Sequence, residues 1–144
     1  MATAKTETRE RVTLDAARHV IESARQAADA IGVPMNIAVV DEGNNLVAFE
    51  RMDGAWLGSI DIAQGKAYTA RAFNMSTKDL APLCQPGKSL FGIHASNDGR
   101  LIIFAGGIPL ERGGEVVGAI GVSGGTVEQD QGVAEAGVEA FQAD

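Results

Sequence analysis

Two charged residues stand where apolar ones are expected. At 100° per residue, Lys66 falls between Ala63, Ala70 and Phe73 on one side of a helical stretch. Asp130 falls on the face marked by Val127, Ala134, Val138 and Phe141 of another. A charge on a core face must be paired or drawn toward its neutral form. A lysine held out of water can grip a ligand carboxylate or act as an acid or base. Its flexible stem can also carry the ammonium to the rim, where it meets an ordinary partner. Lys66 and Asp130 are thus candidate catalytic groups, and Asp53 is the alternative carboxylate for proton transfer. Arg51, two residues before Asp53, can hold a substrate carboxylate through two parallel hydrogen bonds. It can equally pair with Glu50 or Glu111 at the surface.

The chain has two histidines and one cysteine. His19 falls on the Asp15, Glu22 and Gln26 side of its helix, away from the apolar stripe. That is the side of a solvated histidine, and a ligand held there must sit at a surface or between copies. His94 lies in a long loop, where a neutral imidazole can reach a pocket. Cys84 lies in the same region and is a candidate thiolate ligand. A single cysteine allows no internal disulfide, which fits a reducing cytoplasm. Without CxxC or HxxxH there is no zinc-type ligand set.

The elements that must position these groups centre on Glu115 to Asp130. Val116 to Val122 is a short apolar run, broken by Gly124-Gly125. Thr126 offers a hydroxyl cap to the following helix, with Gln129 at capping-box spacing. Along the strand Val117, Ala119, Gly121 and Ser123 share one face, and Val116, Gly118, Ile120 and Val122 the other. The small face admits either a closely packed helix or a ligand, which makes Gly121 a candidate substrate contact.

Several motifs fail on inspection. Pro86-Gly-Lys-Ser89 lacks the upstream glycine of a phosphate loop, because Pro82 stands in its place. The glycines at 118, 121, 124 and 125 are not spaced as GxGxxG, and Glu128 and Asp130 would repel a phosphate at that helix start. Gly121-Val-Ser-Gly-Gly125 matches GxSxG, but no histidine follows Ser123, which excludes a hydrolase triad in that order.

The rest of the chain supplies covering elements. Residues 1–12 are polar and are expected to form a loose arm, followed by a single domain over 13–144. Thr13 caps a helix over Leu14 to Ile31, which Gly32 and Pro34 stop. Met35 to Asp41 and Leu46 to Met52 form a hairpin around Gly43-Asn44-Asn45. A second helix runs from Ser59 to Phe73, and Ser76 opens a short third. Residues 84–100 are a long loop, and Leu101 to Phe104 a short strand. Ile108 to Arg112 pairs with Glu115 to Val122 through Gly113-Gly114, and a last helix covers Val127 to Phe141. Hairpins dominate, so the expected class is α+β, an antiparallel sheet with helices covering it.

At 144 residues, with 45% hydrophobic and 22% charged residues, one soluble globular domain is expected. The net charge of −7 and the scattered basic residues argue against a nucleic-acid partner. No stretch approaches the ~20 apolar residues of a membrane span.

Four segments together resemble the GlcG/HbpS family, which also supplies the C-terminal domain of PduO-type proteins. They are Met52-Asp-Gly-Ala, Lys66-Ala-Tyr-Thr-Ala, Gly106-Gly-Ile-Pro109 and Gly118 to Asp130, in that order. The resemblance implies a profilin-like fold, a five-stranded antiparallel sheet with helices on both faces, in a homo-oligomer. It implies a small-molecule ligand, with haem or a related tetrapyrrole the best-known one, and slow redox or degradative chemistry. Other relatives sit beside glycolate or diol catabolism, which keeps open a small isomerase or lyase acting on an organic acid. For haem, the candidate contacts in this chain are His19, His94, Ser123 and Gly124.

Overall fold

The computed structural model of the protein describes residues 4–143. The first three residues of the expected arm, and residue 144 of the expected domain, lie outside the described residues.

Helix α1, Leu14–Ile31, begins where Thr13 Oγ1 accepts from the Ala16 amide at 3.1 Å. It ends at Gly32, whose φ of 70° no β-carbon has to tolerate. Its buried stripe, Ala17, Val20, Ile21, Ala24 and Ala28, seats it on the sheet. Strands β1 (Asn36–Asp41) and β2 (Leu46–Arg51) form the first hairpin. Asp41 Oδ1 accepts from the amides of Gly43 and Asn45 and shapes the turn. Helices α2 (Gly58–Phe73) and α3 (Thr77–Leu80) follow, then short 3₁₀ turns within residues 81–99. Strands β3 (Gly107–Arg112) and β4 (Glu115–Ser123) form the second hairpin, and α4 (Val127–Gln142) closes the chain. The start of α4 is a full capping box between Thr126 and Gln129.

Among the described residues the sheet has four strands in the order β2-β1-β4-β3, all antiparallel. Leu101 to Phe104 is not a fifth strand. The Ile102 amide donates to Thr69 Oγ1 at 2.9 Å rather than to a neighbouring strand. Gly65, where a β-carbon would meet Ile102 at 2.7 Å, lets this segment lie directly on α2.

One face of the sheet carries Ile37, Val39, Ile120 and Val122 and packs on α1 and α4. The other carries Ala38, Val40 and Ala119 and packs on Ala67 and Ala70 of α2. Helices therefore cover both faces. The expected alternation along β4 breaks at Val117. A bulge in the β3–β4 register there places Val117 in the cluster of Ile120 and Val122, not with Ala119. Val12 is buried, and its amide donates to the Val117 carbonyl at 3.3 Å, so the chain is tied to the sheet just before α1. Residues 4–11 carry no helix or strand and are exposed.

Candidate functional site

Lys66 is fully buried, and Asp130 is 2% exposed. Lys66 Nζ donates to Asp130 Oδ2 and to the Val122 carbonyl, both at 2.8 Å. Asp130 Oδ1 accepts from the Gly125 amide at 2.9 Å. The ring of Phe104 lies 5.0 Å from the ammonium, a cation–π contact. Burial holds the Lys66 pKa below the usual lysine value, and the hydrogen bond and charge of Asp130 work in the opposite direction.

Local glycines make this geometry available. A β-carbon at Gly106 would stand 2.8 Å from Lys66 Nζ and 3.0 Å from its Cδ. One at Gly107 would strike the Lys66 carbonyl. The stem therefore passes beside a gap that only glycine leaves. Gly106 is itself fixed by its amide, which donates to Gln131 Oε1, and by its carbonyl, which accepts from Val122.

The other candidates are dispersed. Gly121 lies under α2, and the space of its missing side chain is taken by the Ala63 carbonyl and the Ala67 amide. The small face of β4 is thus filled by a helix, which leaves no room for a ligand there. Ser123 is 5% exposed and opposite Asn36, while Gly124 is pressed against Pro34 and Met35. His19 is exposed on α1, on one side of the sheet. His94 is exposed, in edge contact with Phe91, in the loop that meets Tyr68 of α2 on the other side. The structure does not gather His19, His94, Ser123 and Gly124 at one place.

Arg51 and Asp53 line a separate open groove with Arg25, Asp29 and Glu50. Asp53 is exposed, and the partner of Lys66 is Asp130. Glu111 is on β3 and Arg51 on β2, at opposite edges of the sheet, so the expected alternative pairing with Glu111 does not form. Cys84 does not suit a thiolate ligand. It is buried, its Sγ donates to the Leu80 carbonyl at 3.3 Å, and burial pushes its thiol pKa up.

Three features were missed. Phe104 carried no sequence signal beyond its apolarity. The other two are carboxamides: Asn36 Oδ1 and Asn44 Oδ1 are buried without a hydrogen-bond partner among the described residues. Asn36 was visible as a polar residue heading an apolar strand. Asn44 lines a groove of about 450 Å³ with Leu46, Ile62, Tyr68, Arg100 and Ile102. Its Nδ2 donates to the Tyr68 carbonyl, and Arg100 stacks 4.1 Å from the Tyr68 ring centre.

A four-stranded antiparallel sheet between helical layers, with an ion pair closing one of its ends, defines an α+β domain of a recognisable kind. The chain belongs to the HbpS-like family: the family described as haem degrading protein HbpS-like matches residues 12–139. It is 43% identical over 130 residues to an uncharacterised 15.0 kDa protein from the dhaT-dhaS intergenic region of Citrobacter freundii, covering 90% of this chain and 92% of that one. Among solved structures, protein ORFY of Klebsiella pneumoniae matches with a TM-score of 0.96 and 38% identity, over 100% of this chain and 99% of that one. A PduOC:heme complex matches with a TM-score of 0.83 and 34% identity, over 85% and 89% of the two chains. Among the described residues, no helix is long and apolar enough to cross a membrane.

Proposed function

We propose that the protein binds haem or a related tetrapyrrole, as a homo-oligomer in the cytoplasm. The observation that carries this reading is the match, over most of the chain, to a domain solved in complex with haem. The groove beside Asn44 has the right chemistry. Leu46, Ile62, Ile102 and the Tyr68 ring offer an apolar wall for a macrocycle, and Arg100 offers a cation for its propionates. The orphaned Asn44 Oδ1 awaits a donor from ligand or solvent. His94 does not line the groove, but it is exposed in the loop that leads to Gly99 and Arg100, and it is the histidine we assign to the iron. Haem bound there would supply redox chemistry at iron; the chain's own part is to hold the ring and pair its carboxylates. The adjacent exposed side chains of Trp56 and Leu57 are the apolar surface we assign to assembly between copies.

Titrating haemin into the purified protein tests this. A shifted Soret band is expected, weakened by Arg100→Ala and changed in shape by His94→Ala, with His19→Ala without effect. No shift, or a shift indifferent to both His94→Ala and Arg100→Ala, would remove the reading.

A second reading, a small enzyme acting on an organic acid, is favoured by one observation: the desolvated Lys66–Asp130 pair, able to exchange a proton across 2.8 Å. Arg51 cannot serve it as a carboxylate clamp from its separate groove.

A further inference from the structure

Phe104 stands between the Lys66 ammonium and an open groove on the surface. Phe104, whose ring lies 5.0 Å from Lys66 Nζ, is 39% exposed. It lines a groove of about 420 Å³ with Lys78, Ala105, Val127, Glu128 and Gln131. The segment around Phe104 belongs to no helix or strand. The place of a β-carbon at Gly106 is taken by the Lys66 stem and ammonium, so Phe104 is the side chain that must move for Nζ to be reached from the groove.

The pair is neutral as a unit, so it offers an anion no net charge. It offers a nitrogen lone pair instead. Moving one proton from Nζ to Oδ2 leaves a neutral amine beside a carboxylic acid, and a dry site favours uncharged forms. An amine next to a proton carrier is equipped to condense with a carbonyl.

We propose that Lys66 forms a Schiff base with a small aldehyde or ketone that enters through this groove when the Phe104 ring turns aside. The Nζ lone pair bonds to the carbonyl carbon, and the carbonyl oxygen takes the proton that Asp130 received. The nitrogen returns a proton to Asp130. The hydroxyl then leaves as water with that proton, and an iminium remains beside an ionised Asp130. The lining of the groove is apolar at Phe104, Ala105 and Val127, polar at Gln131 and charged with both signs at Lys78, Glu128 and Glu135, a mixture that suits a short polar carbonyl compound. This deepens the second reading of the pair and does not involve the haem groove, so each can fail alone in its own assay.

The test is reductive trapping. The protein is incubated with propionaldehyde and cyanoborohydride, and modified lysines are mapped by mass spectrometry. Lys66 should be alkylated in the wild type and several-fold faster in Phe104→Ala, with circular dichroism and the haemin titration unchanged. Modification confined to Lys5, Lys78 and Lys88 in both proteins would overturn the proposal. Equal rates at Lys66 in the two proteins would overturn the role of Phe104.

Discussion

Lys66 and Asp130 come from helices on opposite faces of the sheet, yet Nζ and Oδ2 meet at 2.8 Å. The lysine rounds the end of the β3–β4 pair, past Gly106, to reach the first turns of α4. The pair therefore ties the two helical layers together.

Breaking a buried pair by removing one partner leaves the other charge unpaired in a dry site. Lys66→Met and Asp130→Leu should each lower stability by about 3–5 kcal/mol, and the double variant should recover much of that loss. Urea unfolding of the four proteins measures it. Additive losses in the double variant would mean that the two groups act separately.

The same burial gives stability a pH slope. The folded-state pKa of Lys66 is lowered from 10.5, so between that lowered value and 10.5 the unfolded chain binds the extra proton. The contribution of this group therefore rises with pH across that window. Cys84, raised from 9.0 by burial, tilts the other way, losing stability as pH climbs above 9.0. On a Cys84→Ala background, urea midpoints should rise toward pH 10 relative to those of Lys66→Met. Parallel curves for the two proteins would contradict the assignment.

Close packing of α2 on β4 rests on Gly121. A methyl group there would strike the Ala63 carbonyl and the Ala67 amide, both main-chain atoms that cannot swing away. Gly121→Ala should cost about 1–3 kcal/mol through overpacking. Thermal unfolding checks this, and an unchanged midpoint would show that the helix can lift at no cost.

Cys84 should be silent. Buried and held as a thiol, it should react slowly with a disulfide reagent until the chain unfolds. Cys84→Ala should leave the haemin spectrum as it was. A lost Soret shift in that variant would bring the cysteine back as a ligand.

Much of the fold was legible because it is locally encoded. The caps at Thr13, Ser76 and Thr126, the stop at Gly32 and the turn at Asn44 all work within a few residues of themselves. Leu101 to Phe104 was misread because a short apolar run has no period of its own. Thr69 Oγ1, 33 residues away, took the amide that a strand would have used. The position of Lys66 and Asp130 on apolar stripes could be read from helical spacing, which is local information, but that both turn inward could not.

What the chain's order alone determined is most of the apolar faces, where the long helices start and stop, and that two charges stand on apolar stripes, with an outward turn to the rim left open. Only the tertiary structure decided that those charges meet, that Gly121 is spent on helix packing, and that Arg51 and Asp53 belong elsewhere. Periodicity assigns a side chain to a face, but which faces are brought within 3 Å depends on sheet order and on gaps left by distant glycines.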